Sequence, residues 1–440
     1  MTHRAQTFLV AVVLLLVAGC STHQPSRNFV IWISVDGLRH DYVDRYHPPL
    51  LTRLSHEGAY TRQLIPIFPS LTFPSHLAEA CGVPVDRHGI PGNAYYDTAT
   101  HQKYSFPHQA ALLKAEPIWI TAPRQHVRTV VDDWPVSQQQ QDLTGARSDY
   151  YNQDFSKDRN DEVRLDQLVA LMNKDVSPDG RPLRLIMTYL VRMDEAGHKY
   201  GPESEEVRSA RLRTDDLLDE FMRSTVAWFE RNASANDELY VLISTDHGMT
   251  DIHTQVNLER LFGPAYSSDL HIVTSGPIGN IYLNDVPAEQ RGAQCDAIVS
   301  RLREHPELLD AYARQDLPPR WHYNDPTRTG DVVVSLKDGC TFSSLRAAPA
   351  TRPVEPNASK GMHGFDIADV PDMAGYAIIW RYRHKLGGRD LGTVDSMRLH
   401  PTAAKLLGIE PAAGAREAPI DLSAEGGTTP RSGSTPSSHS

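Results

Sequence analysis

Three apolar stretches of this chain each run up to an aspartate. "FVIWISVDG" reaches Asp36, "LRLIMTYLVRMD" reaches Asp194, and "LYVLISTDHG" reaches Asp246 with His247 directly after it. His198 follows Asp194 by four residues. That spacing puts both side chains on one face of a helical turn, and Gly197 and Gly201 allow a loop equally well. His363 stands in "KGMHGFD", between glycines that let the backbone approach another group closely. Any one of the 20 histidines is more often structural than a ligand. Taken together, three carboxylates and three imidazoles with no thiolate suit borderline-soft cations such as zinc in a hydrolytic site. The seventh residue of interest is Thr72 in "SLTFPSH", placed where a helix cap would sit, with Pro74 suited to a first turn. A threonine hydroxyl holds its proton tightly. A coordinated cation would loosen it, and free amides at a helix start would add to the effect.

These residues need a scaffold that brings them to one place. The three runs read as strands buried on both faces, as in a mostly parallel sheet. Between the second and third, residues 205–231 carry Leu217, Leu218, Phe221, Met222, Trp228 and Phe229 at helical spacing. Alternating strands and helices predict an α/β fold, and in open parallel sheets sites form beyond the carboxyl ends of the strands. Aspartate also favours strand-end turns for local reasons. Three such endings, two with histidine nearby, outweigh that reading.

The chain has 440 residues, 40% of them hydrophobic, and a net charge of −11. The charge argues against a general or sequence-specific nucleic-acid binder. One compact catalytic domain is expected over residues 29–415, with inserted subregions around 95–160 and 264–345 where periodic signals weaken. Arg4 precedes the apolar run "FLVAVVLLLVAG", too short to span a membrane and the length of a signal-peptide core. It ends in "VAGC", which resembles the lipobox of bacterial lipoproteins. That resemblance implies removal of residues 1–19, lipidation at Cys20 and a tether over 20–28. With Ser21 following, it also implies a bacterial envelope location, lipid-anchored in the outer membrane and facing the periplasm. Residues 426–440 read as a disordered tail. Of the remaining cysteines, Cys295 and Cys340 are a possible disulfide pair, with Cys81 left over.

Eight ordered segments carry a broader resemblance: "VDGLR", "PSLTFPSH", "DRHGIPGNAYYD", "EPIWITAPRQ", "DDWPVS", "DEAGHKYGPES", "STDHGMTD" and "MHGFD". With them the chain resembles the nucleotide pyrophosphatase/phosphodiesterase (type I phosphodiesterase) family of the alkaline phosphatase superfamily. The resemblance implies a three-layer α/β sandwich around a mostly parallel sheet, and two zinc ions. It implies that Asp36, Asp246, His247 and Thr72 hold one ion and that Asp194, His198 and His363 hold the other. Thr72 matches the family's nucleophile, which passes through a phospho-threonine. Asn93 matches a donor to a phosphoryl oxygen, and Phe73 matches a residue lining the substrate. Tyr151, or its neighbour Tyr150, is the candidate for the opposite aromatic wall. Ser75 stands where the family more often has asparagine, and "VRMDEAGH" departs from a more typical lead-in. Neither change removes a ligand.

The implied activity is hydrolysis of phosphodiester or phosphoanhydride bonds in a small, nucleotide-type substrate. The neutral Asn93 amide, with no arginine in its motif, suits a diester over a monoester. Alternatives on the same frame are a phospholipid-head phosphodiesterase and a phosphonate or phosphomonoester hydrolase. A zinc-binding surface lipoprotein without catalysis is the non-enzyme alternative; Thr72 and Asn93 speak against it. His88, Trp134 and Asn257 are read as structural.

Overall fold

The computed structural model describes residues 26–156, 159–177, 179–261, 270–283, 285–306, 308–343 and 349–423. The signal segment, Cys20 and the 426–440 tail lie outside the described residues. The central sheet is built from β1 (Asn28–Val35), β2 (Ala59–Ile65), β3 (Arg128–Asp132), β4 (Tyr150–Tyr151), β5 (Leu183–Leu190), β6 (Glu238–Ser244), β7 (Gly375–Arg381), β8 (Arg389–Asp390) and β9 (Thr393–Asp395). Its order is β8-β2-β7-β6-β1-β5-β3-β4, with β9 also pairing β2. From β6 across to β4 all neighbours are parallel; β7 runs antiparallel to both β6 and β2. The helices used below are α1 (Thr72–Cys81), α2 (Asp161–Lys174), α3 (Arg192–Tyr200), α4 (Glu205–Asn232) and α5 (Leu399–Leu407).

Seven of the eight residues of β1 are buried because the strand is covered on both sides. Phe29, Ile31, Ile33 and Val35 point into one apolar layer with Leu165 of α2 and Leu217, Phe221 and Trp228 of α4. Val30 and Trp32 point into the other, with Leu77 of α1 and Leu399 and Ala403 of α5. This period-two division of a continuous apolar run makes the middle layer of a three-layer sandwich. The helical pattern at 205–231 is met by α4, which Ser204 caps by accepting from the Val207 N–H.

Residues 271–336 build a second sheet of four antiparallel strands, His271–Ser275, Ile278–Tyr282, Val332–Leu336 and Leu309–Ala313 in spatial order. The stretch 95–160 is more integral than its weak sequence signals suggest, since it supplies β3 and β4 to the main sheet. Both strands are short and gain their hydrogen bonds from the sheet rather than from local propensity. Cys81, Cys295 and Cys340 are all buried free thiols, so the possible 295–340 pair is not formed.

Candidate active site

Register brings the site together. Ser34 of β1 lies opposite Ser244 of β6. Two residues beyond each serine the chain reaches Asp36 and Asp246, which therefore emerge side by side. On the other flank Val35 pairs with Leu190 of β5, and the Asp36 N–H donates to the Leu190 carbonyl at 2.9 Å. The chain then turns into α3, whose first turn carries Asp194 and whose last turn carries His198. The 194–198 spacing is thus helical, and the loop alternative falls away. Gly37, at φ +71°, allows this closeness: a β-carbon there would sit 3.2 Å from the Asp194 α-carbon.

Two groups of donor atoms result. Those of Asp36, Asp246 and His247 lie within 4.8 Å of one another, as do those of Asp194, His247 and His363. His198 joins the second group: its Nε2 is 3.4 Å from Asp194 Oδ1 and 3.2 Å from His363 Nε2. All three rings are held from behind by carbonyls that can only accept. His198 Nδ1 donates to Gly361, His363 Nδ1 to Ser70 and His247 Nδ1 to Gly248, at 2.8–2.9 Å. That pattern fixes the tautomers and aims each Nε2 inward, as ligand histidines require. It also leaves the Nε2 lone pairs of His198 and His363 facing each other. Asp36 Oδ1, Asp194 Oδ1 and Asp246 Oδ2 are buried without a hydrogen bond. Buried carboxylates and lone pairs that face only each other are stable when a cation lies between them. The donor set fits divalent ions of the zinc kind, and the residues expected to hold them are the ones gathered here.

The electrostatics agree. Burial, then the Asp194 and Asp246 carboxylates, push Asp36 well above the ordinary carboxylate range. Burial alone would raise Asp246, but the His247 and His76 imidazoles outweigh it and hold it well below that range. Burial would lower His247, yet the adjacent Asp246 raises it. His363 is pushed well down by burial and by the neighbouring imidazoles of His247 and His198. The pocket favours positive charge between its carboxylates and disfavours it on the outer imidazole.

Thr72 differs in one detail from the cap reading. Leu71 is the N-cap residue, no side chain caps α1, and Thr72 is the first helical residue. Its hydroxyl is free of that local duty, and Oγ1 lies 3.4 Å from His247 Nε2. Beside it, the Phe73 N–H donates to Asn93 Oδ1 at 3.0 Å. This occupies the carboxamide oxygen and leaves the Asn93 NH2 as the end able to donate. Phe73 is 7% exposed, and its ring meets Phe106 edge-on at 5.7 Å. Phe106 itself is 55% exposed. Tyr151 stands on edge strand β4, lining a cleft with Asp132, Asn152 and Arg159 and packing against the same apolar layer as Phe73. Among the described residues no ring contact joins it to Phe73, so the aromatic neighbour that the structure supplies is Phe106.

A family model described as type I phosphodiesterase / nucleotide pyrophosphatase matches residues 30–366. The chain belongs to that family. Ectonucleotide pyrophosphatase/phosphodiesterase family member 7 of Rattus norvegicus is 26% identical over 429 residues, covering 93% of this chain and 91% of the relative. Bis(5'-adenosyl)-triphosphatase of Homo sapiens is 24% identical over 395 residues, covering 87% and 78%. Among solved structures, murine ectonucleotide pyrophosphatase / phosphodiesterase 5 superposes with a TM-score of 0.72 at 20% identity, over 87% of this chain and 96% of that one. The same murine protein is also solved as an inactive threonine-to-alanine variant in complex with AMP. The shared architecture is the alkaline phosphatase-like fold.

Sequence reasoning passed over several polar residues that hold this site. The Tyr189 hydroxyl donates to Asp36 Oδ2. Asp161 caps the start of α3, accepting from the Val191 and Arg192 N–H groups at 3.0 and 3.2 Å. His76 and Glu79, both on α1, are fully buried. The available signal was a short helix whose polar residues exceed what a helix surface needs, in "TFPSHLAEAC".

Proposed function

We propose that this protein is a two-zinc phosphodiesterase and nucleotide pyrophosphatase that works through a phospho-threonine at Thr72. The observation that carries the proposal is the gathering of three carboxylates and three inward-facing imidazole nitrogens, with the Thr72 hydroxyl 3.4 Å from one of them, His247 Nε2. Asp36, Asp246 and His247, with Thr72, would hold one ion; Asp194, His198 and His363 would hold the other. When bound, such a pair supplies positive charge to the phosphoryl and leaving oxygens and lowers the pKa of hydroxyls that it contacts. Thr72 Oγ1 attacks phosphorus, forming an O–P bond as the bond to the leaving oxygen breaks. Water then cleaves the phospho-threonine and restores the hydroxyl. Asn93 donates its NH2 to a non-bridging oxygen as charge builds there. The amide is neutral, which suits the single charge of a diester better than the double charge of a monoester.

A nucleotide-type substrate is supported by the relative named as a bis(5'-adenosyl)-triphosphatase and by the murine neighbour solved with AMP. Phe73 with Phe106 offers an apolar face for the substrate's organic group, as aromatic platforms do for bases. Tyr151, packed against the same apolar layer as Phe73, is the candidate for a second aromatic wall.

We also propose that the mature chain is lipid-anchored at Cys20 in a bacterial outer membrane, facing the periplasm. The chain enters β1 at Asn28, and the strand's eight residues span about 26 Å before Asp36. An anchor near the amino end of the sheet holds a site built at its carboxyl end facing away from that membrane. This favours a diffusible diester over a phospholipid of the anchoring leaflet.

The test is turnover by purified, metal-analysed protein. A nitrophenyl nucleotide diester should be hydrolysed far faster than a nitrophenyl monoester, and choline lipids should release no headgroup. Preference for the monoester or for the lipid would replace this substrate reading with the corresponding alternative.

A further inference from the structure

Helix α1 carries three buried polar side chains that the chemistry above does not use, Ser75, His76 and Glu79, and the last two have side-chain partners. His76 and Glu79 are both 0% exposed. Buried polar groups cost stability unless they are paired, so their partners show what they are for. His76 Nε2 lies 2.8 Å from Ser34 Oγ, and Ser244 Oγ donates to Glu79 Oε2 at 2.9 Å. Those two serines are the cross-strand pair of β1 and β6, each two residues ahead of a site aspartate. Helix α1 is therefore pinned, through one polar pair per strand, to the two strands that deliver Asp36 and Asp246.

The other nitrogen of His76 reaches into the site. Nδ1 is 2.8 Å from the Thr72 carbonyl oxygen and 3.3 Å from Asp246 Oδ2. A carbonyl can only accept, so Nδ1 carries the proton and donates it to Thr72, while Asp246 Oδ2 is a close neighbour and not a hydrogen-bond partner. The ring has little freedom to move. It stands edge-on to Trp134 at 5.2 Å and to Tyr189 at 4.8 Å, and Tyr189 in turn holds Asp36. Burial, with Asp246 nearby, pushes the Glu79 carboxyl well above its ordinary range, which suits an uncharged bracing group.

We propose that His76 is a positioning residue, on a helix that Glu79 pins to β6 through Ser244. Its Nδ1–H holds the Thr72 carbonyl, with the Asp246 carboxylate 3.3 Å away, and so sets the height of the Thr72 hydroxyl against the site carboxylates. It touches neither substrate nor metal. The inference rests on Thr72 being the nucleophile. Misplacing an attacking atom by about 1 Å can cost on the order of 100-fold in rate while leaving substrate binding alone.

Two substitutions separate this role from simple packing. His76→Asn places its amide nitrogen near the position of Nδ1 and gives up the Ser34 contact. His76→Gln reaches the position of Nε2 and gives up the proton that Nδ1 donates to the Thr72 carbonyl. Both lose the ring, so both should lower the melting temperature by similar amounts. The positioning role predicts that His76→Asn keeps kcat within about fivefold, while His76→Gln loses about 10- to 100-fold in kcat. KM and bound metal should stay near wild type in both. Equal kcat in the two variants, or a faster Gln variant, would overturn the proposal. So would a loss that tracks metal content in place of kcat. A wild-type protein inert on every diester would take down the functional reading and this inference with it; an active wild type with equal variants removes the inference alone.

Discussion

Two clusters of buried aspartates lie in this molecule, and they are built on opposite plans. In the first, Asp36, Asp194 and Asp246 each keep one oxygen without a hydrogen bond. In the second, Asp132, Asp133 and Asp161 meet Arg159, Arg164 and Asn152, and every carboxylate oxygen has a donor. Asp133 accepts from Arg159 at 2.7 Å, from Arg164 at 3.0 Å and from Asn152. Asp132 accepts from Arg159 at 2.9 Å and from Thr188 at 3.3 Å, and Asp161 holds the start of α3. The carboxylates of the second cluster are all met within the chain. Those of the first each leave one oxygen unmet.

Histidines show the same contrast. His400 is fully buried, with Nδ1 donating to the Ala80 carbonyl at 2.7 Å and Nε2 accepting from the Ala412 N–H at 2.9 Å. His198 and His363 have the same carbonyl behind Nδ1, yet their Nε2 atoms face one another. In these rings the difference lies in what Nε2 meets: a donating N–H in His400, and another imidazole nitrogen in His198 and His363.

This contrast can be broken at specific residues. The largest effect is expected at Thr72. Thr72→Ala should lower diester turnover by about 10⁴-fold or more, since the step has no other nucleophile. Bound metal should remain, because six other donors are untouched; metal analysis alongside kinetics reads both. Next comes the paired cluster. Asp133→Ala takes from buried Arg164 and half-buried Arg159 the carboxylate they share and should cost about 3–5 kcal/mol of stability by denaturant unfolding, with metal content unchanged. If that variant lost metal while keeping its stability, the division between the clusters would be wrong. Asn93→Ala should cost about 2.7–4 kcal/mol of transition-state stabilisation, seen in kcat for the diester. An unchanged kcat would remove Asn93 from the reaction.

The smallest effect belongs to the core histidine. Burial pulls His400 down to about 4, whereas an unfolded chain takes up a proton near 6.5. The unfolded state therefore binds more protons between those values. Stability is lost as pH falls through this window, by up to about 3 kcal/mol from this residue. Unfolding free energies at pH 7 and pH 4.5 should differ less in a His400→Gln variant than in the parent; an equal difference would show that His400 does not carry the effect.

Much of the site was legible because its residues sit at the ends of apolar runs. The runs at 29–35 and 239–244 are continuous enough to read as doubly buried strands, and position alone then sends Asp36 and Asp246 to the same edge. Short elements hid more. The strands β3 and β4 have five and two residues and draw their stability from sheet neighbours, so residues 95–160 looked like an insertion. Phe106, exposed and beside Phe73, was not foreseen, because the contact joins residues more than 30 apart in sequence. His76, Glu79 and Tyr189 went unread because their importance lies in partners more than 40 residues away in sequence, Ser34, Ser244 and Asp36. No local pattern encodes such pairs.

The central claim is that the incomplete cluster is made to hold two metal ions. The most direct measurement is anomalous diffraction at the zinc edge from crystals of the protein reconstituted with zinc after chelation. Two peaks are predicted, one within bonding distance of Asp36, Asp246 and His247 and the other of Asp194, His198 and His363. Featureless density there, in protein that retains full diesterase activity after chelation, would contradict the account.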